Sequence, residues 1–167
     1  MYPTKHFSAI QEKLVADYLG WKVVSGSGAR AGFPGDVYSD MWLGECKTHT
    51  KPGQKIKFNL KVWDKISDEA QAKFKFPVLF VDDGSQKLDM TWCMIPYTRI
   101  GSSSEYVVCD LDLDFSANIL FDHSCMMQQY CQFQANNDTA DIVMAVNLLK
   151  SSLGLLPISS FKNIFGD

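Results

Sequence analysis

The sequence is short of several things, and each shortage excludes a class of protein. No apolar run approaches the ~20 residues of a membrane-spanning helix, so no membrane span is expected. The first residues, Met-Tyr-Pro-Thr-Lys-His, lack the apolar core of a secretion signal, and a cytoplasmic location is expected. The five cysteines (Cys46, Cys93, Cys109, Cys125 and Cys131) are odd in number and form no C-x-x-C pair. That pattern argues against a disulfide framework or a zinc knuckle and for reduced thiols. There is no G-x-x-x-x-G-K-S/T phosphate loop, no dinucleotide-binding glycine fingerprint and no internal repeat. Positive charge is also in deficit. The net charge is −3, which speaks against a nucleic-acid binder that is basic all over.

What the chain does have is material for a core. It holds 167 residues, 46% of them hydrophobic and 13% aromatic, enough to bury a sizeable interior without staples. One domain over 1–167 is expected, with a motif-bearing core over about 8–97 and a C-terminal elaboration over about 98–167.

Residues 8–19 read as a helix. Ser8 and Gln11 fit a capping box, Phe7, Ile10, Leu14 and Tyr18 recur at helical spacing, and Gly20 suits the stop. A short strand over 21–25 leads into a loop with four glycines, residues 26–35. Residues 36–48 read as a hairpin turning at Ser39-Asp40. A basic loop over 49–57 precedes a helix over 60–74, with Leu60, Trp63, Ile66 and Ala70 on one side. Residues 78–81, 90–96 and 106–111 read as strands, residues 140–153 as a last helix, and the tail from Pro157 as a loop or short docked segment. Together these predict an α/β (α+β) fold, a mixed sheet flanked by helices.

The chemistry lies in Pro34-Gly35-Asp36, eight residues, then Glu45-Cys46-Lys47. On a strand, Leu43, Glu45, Lys47 and His49 share one face. A two-residue turn at 39–40 sets Asp36 opposite Leu43 and diagonal to Glu45, about 7–8 Å away between Cα atoms. Two carboxylates so placed can share Mg²⁺, which takes oxygen ligands, with Mn²⁺ as a substitute. The Cys46 backbone carbonyl lies between them as a further ligand, while its side chain is expected to turn into the core. Lys47 is placed to position an attacking water or to neutralise charge on a phosphate.

Asp36, Glu45 and Lys47 resemble the D…(D/E)-x-K signature of the restriction-endonuclease-like nucleases, the PD-(D/E)xK superfamily. Gly35 stands where those enzymes usually have proline. Glu12, followed by Val15, Tyr18 and Leu19, is similar to the superfamily's first-helix pattern. The resemblance covers about residues 8–81. It implies a restriction-endonuclease-like fold, an Mg²⁺-dependent DNA endonuclease, and a place for Glu12 in the acidic cluster. The Ser-rich entry loop Ser25-Gly26-Ser27-Gly28 and the small size are most like the archaeal-type and phage Holliday junction resolvases. That likeness implies a homodimer acting on branched DNA in recombination and repair, with Ser27 near the scissile phosphate. A restriction, nicking or repair nuclease on duplex or flapped DNA is the alternative within the superfamily. A non-catalytic module of the same fold, binding a basic partner through Asp110, Asp112, Asp114 and Asp122, is the alternative outside it.

Arg30, His49, Lys51, Lys55, Lys57, Lys61 and Lys65 surround the motif and are expected to track phosphates. Gln71 and Lys73 are within possible reach of the same site. The average charge hides a division. Residues 1–75 hold 12 Lys and Arg against 8 Asp and Glu, whereas residues 76–167 hold 4 against 11. One basic, metal-bearing face and one acidic back are therefore expected.

Overall fold

The structure is a computed structural model that describes residues 4–25, 34–99, 105–108, 118–137, 142–147 and 152–166. The chain order begins with α1 (Thr4–Leu19), β1 (Lys22–Val23), β2 (Val37–Tyr38) and β3 (Trp42–Lys47). It continues with β4 (Ile56–Asn59), α2 (Leu60–Ala72), β5 (Phe76–Val81), β6 (Trp92–Pro96) and β7 (Glu105–Val108). Then come β8 (Asn118–Phe121), α3 (His123–Asn137), β9 (Ile142–Asn147), β10 (Ser152–Pro157) and α4 (Ile158–Phe165).

Eight strands form one sheet in the order β1-β2-β3-β5-β6-β10-β9-β7. The β3–β5 and β7–β9 pairs are parallel and the others antiparallel. Strands β4 and β8 make a separate antiparallel pair. The fold is thus mixed α/β with a mostly antiparallel sheet, as the α+β expectation had it. The described strands β7, β9 and β10 extend this sheet, and β10 pairs directly with β6. No described helix is long and apolar enough to cross a membrane. The four described cysteines, Cys46, Cys93, Cys125 and Cys131, are free thiols.

Alternation along the central strands builds two cores. Leu43, Leu79, Val81 and Met94 face Trp63, Ile66 and Ala70 of α2, together with Phe58 and Phe121 of the small sheet. Trp42, Cys46, Val78 and Phe80 face Val15 and Ala16 of α1 and Phe161 of α4. Helix α2 starts where Asn59 Oδ1 accepts the N–H groups of Lys61 (2.9 Å) and Val62 (3.3 Å), which satisfies two donors of its first turn. Its spacing of Trp63, Ile66 and Ala70 buries one stripe, as the periodicity predicts.

Two expectations are corrected, one over residues 140–153 and one in α1. Residues 140–153 do not form a helix: Ile142–Asn147 and Ser152–Pro157 are strands. Val143, Met144, Ala145 and Val146 are all buried, and a strand covered on both faces shows a continuous apolar run instead of alternation. The tail after Pro157 is a short docked segment, one of the two forms expected: helix α4, with Ile158 and Phe161 buried. Helix α1 begins at Thr4, so Ser8 and Gln11 form no capping box. It is also rotated: Ile10 is 41% exposed, while Gln11, Val15 and Ala16 are buried.

Candidate active site

The β2–β3 hairpin sets the geometry. Val37 pairs with Gly44 and Tyr38 with Leu43, and the Ser39 N–H donates to the Trp42 carbonyl at 3.0 Å. The turn therefore sits at Asp40-Met41, one residue later than predicted. The shift takes Asp36 away from Leu43, and its N–H reaches the Gly44 carbonyl, next to Glu45. Contacts distant in sequence select this register. The Lys75 ammonium donates to the carbonyls of Ser39 (2.5 Å) and Asp40 (2.8 Å), and the Phe76 N–H donates to the Met41 carbonyl (2.8 Å).

Gly35 explains the departure from proline before the aspartate. Its φ is +72°, which proline cannot adopt, and a Cβ there would lie 2.9 Å from the Leu43 side chain. The Asp36 N–H donates to the Gly44 carbonyl (2.8 Å), and the Cys46 N–H donates to Asp36 Oδ2 (2.9 Å). The first carboxylate is thereby tied to the strand that carries the second.

Glu45 is only 7% exposed. Lys47, one pleat along, donates from Nζ to Glu45 Oε1 at 2.5 Å. Cys46 points the other way, into the core beside Val15 and Ala16, as expected, and burial pushes its thiol well above the ordinary range. Gln11 explains the rotation of α1. It is fully buried, and its Nε2 donates to the Lys47 carbonyl at 3.0 Å. This bond fixes α1 against β3 and brings the next residue, Glu12, to the carboxylates.

The result is a cleft of about 440 Å³, with Glu12, Asp36, Glu45 and Lys47 in its lining. Burial raises the Glu12 pKa from 4.5 to about 7, and the negative charges of Asp36 and Glu45 add to the rise. Burial also raises Asp36, with Glu45 adding to it and the Cys46 N–H opposing it. Burial works against the Lys47 ammonium, but its hydrogen bond to Glu45 and the charges of Glu45 and Asp36 outweigh that, and its pKa ends above the ordinary value.

Sequence reasoning missed Glu69. It lines the same cleft from α2, paired with Lys65 at 3.4 Å. The four-residue spacing of Lys65 and Glu69 shows that they pair, but not which way the pair faces. Gln71 and Lys73 do not line the cleft. Nor do Lys51, Lys55, Lys57 and Lys61, all of which are exposed. Lys57 and His49 line a second, smaller cleft that shares Lys47. Ser27 and Arg30 lie outside the described residues, as do Asp110, Asp112 and Asp114.

The basic loop after β3 is pinned beside the site. Thr48 Oγ1 donates to Asp82 Oδ1 (2.5 Å), and the N–H of Gly53 donates to Asp83 Oδ2 (3.1 Å). Gly84, at φ +94°, passes so close to the Lys51 carbonyl that a Cβ would lie 2.0 Å from it.

Among the described residues, no three His, Cys, Asp or Glu side chains form a ready-made metal cage. The donor set nevertheless suits a hard cation that keeps most of its waters. Asp36 and Glu45 each give one oxygen to a protein donor, and two further carboxylates stand in the same cleft. Burial is the larger cause of the raised pKa values of Glu12 and Asp36, and the negative charges of their neighbours add to it. Compared with known proteins, the chain matches no family, no curated protein and no solved structure.

Proposed function

We propose that the chain is an Mg²⁺-dependent DNA endonuclease of the restriction-endonuclease-like fold, selective for branched DNA such as a four-way junction and acting as a homodimer. One observation carries this reading: helix α1 and the β2–β3 hairpin bring Glu12, Asp36, Glu45 and Lys47 into one cleft.

Asp36 and Glu45 hold the cation, and Glu12 completes the acidic wall. When bound, the cation polarises the phosphate and makes its water a better nucleophile. The chain's own groups do the rest. The Cys46 N–H holds Asp36 so that its carboxylate cannot turn away. Glu45 keeps the Lys47 ammonium charged and aimed along the strand. Lys47 orients the attacking water and offsets the charge that grows on the phosphate oxygens. Lys65, which lines the cleft from α2, meets phosphate there.

The test is incubation with a four-way junction, a nicked duplex and a linear duplex in Mg²⁺ and in EDTA. Wild type cuts the junction in Mg²⁺ only, and prefers it to its linear arms at matched salt. Asp36→Asn and Lys47→Ala each lose at least ~100-fold in rate. Cleavage that survives EDTA, or variants as active as wild type, would sink the reading.

A further inference from the structure

Lys47 belongs to two clefts. Beyond the acidic one, a cleft of about 230 Å³ runs past Thr48 and His49 to Lys57 and Asn59. Val62, Leu79 and Val81 supply its apolar side. Leu79 and Val81 pair in register with Glu45 and Lys47, so this cleft continues the sheet face that carries the acids.

The two clefts differ in chemistry. The first carries Glu12, Asp36, Glu45 and Glu69, whereas no acidic residue lines the second among the described residues. A cation therefore has no reason to enter it. Its rim offers Lys47, Lys57 and His49, while the Thr48 hydroxyl is held by Asp82 and Gln86. The Asn59 oxygen is committed to the first turn of α2, which leaves its amide NH₂ for a ligand. An apolar floor under a rim of hydrogen-bonding and cationic groups suits a flat, partly polar ring joined to a phosphate. Its size admits one such ring.

We infer that this second cleft is a nucleobase subsite, which takes one unpaired nucleotide adjoining the phosphate held at Lys47. The inference rests on the nuclease reading above and deepens it. A base inside a duplex is stacked and paired, and must leave the helix to enter a cleft this narrow. That step costs least where the base is already unpaired, at a branch point or flap. Selectivity for branched DNA then arises next to the cleavage chemistry, from the base that the substrate leaves free.

The test measures equilibrium binding of the full chain, with Ca²⁺ in place of Mg²⁺, to a flapped duplex. Each of the nucleotides flanking the branch point carries in turn a normal base, an abasic site or 2-aminopurine. Val62 is half-buried, so Val62→Phe fills the cleft and Val62→Ala leaves it open. At one flanking position, wild type and Val62→Ala bind the normal base at least about tenfold tighter than the abasic site. Val62→Phe shows a ratio within about twofold, and its binding no longer changes the 2-aminopurine fluorescence. Three results overturn the inference alone: a wild-type ratio near one at every position, an undiminished ratio in Val62→Phe, or equal loss in both variants, which marks a purely structural effect. If wild type neither binds the flap nor cuts any of the three substrates in Mg²⁺, the nuclease reading falls and the inference with it.

Discussion

Replacing Glu12 by Gln should stabilise the protein, and more so as the pH rises. In the unfolded chain Glu12 ionises near its ordinary 4.5; in the folded chain burial, Asp36 and Glu45 delay ionisation to about 7. Between those values the native state holds the extra proton. Stability of the wild type therefore falls as the pH climbs through that window. A rise of this size corresponds to at most about 3 kcal/mol for a fully shielded group. Glu12 keeps contact with water, and screening reduces the figure to about 1–2 kcal/mol. Glutamine has the same shape and no charge. The stability gap between Glu12→Gln and wild type should accordingly widen by about 1–2 kcal/mol from pH 5 to pH 8, in low salt with EDTA. Urea unfolding measures it directly, and in a thermal melt it is worth about 2–8 °C. Millimolar Mg²⁺ should narrow the gap at pH 8, because a nearby bound cation favours the ionised carboxylate of the wild type. A gap that does not change with pH would refute the idea that burial and the neighbouring carboxylates keep Glu12 protonated.

Restoring the proline usual in the resembled nucleases should do harm here. Gly35→Pro cannot reach φ +72°, so a loss of about 3 kcal/mol or more is expected in chemical denaturation; an unchanged midpoint would mean that the hairpin entry differs. Phe74 sits in the left-handed region at φ 57° and is 98% exposed. Phe74→Gly should raise stability by about 0.5–1 kcal/mol, since it relieves strain and loses no packing; a destabilised variant would reveal a contact made by that ring. Gly44→Ala places a methyl 2.7 Å from the Phe80 ring and 2.8 Å from Val37. A loss of about 1–3 kcal/mol in urea unfolding is expected, and a neutral result would show that the sheet there can spread.

Much of the site was legible because strand periodicity is local. Glu45 and Lys47 fall on one face and Cys46 on the other whatever the rest of the chain does. The α2 stripe was legible for the same reason. Rotation of α1 was not. Ile10 and Leu14 advertise one face, but Gln11 reaches a carbonyl 36 residues away and turns a different face inward. Nor was Glu69, since a Lys–Glu pair on a helix reads the same whether it faces solvent or a cleft. Strand β9 was hidden by its burial, which leaves an apolar run common to helices and strands.

The residue types and their spacing thus determined the hairpin with two carboxylates and a lysine, the helix that follows it, and a charge split along the chain. Only the tertiary structure decided that the Asp36 N–H meets the Gly44 carbonyl beside Glu45, that Glu12 and Glu69 join the two carboxylates, and that Lys47 lines two clefts. The physical reason is the range of the forces involved. Side-chain alternation is set by neighbouring residues, whereas register and helix rotation are chosen among alternatives of similar local energy. Here a few distant hydrogen bonds, from Lys75, Phe76 and Gln11, make the choice.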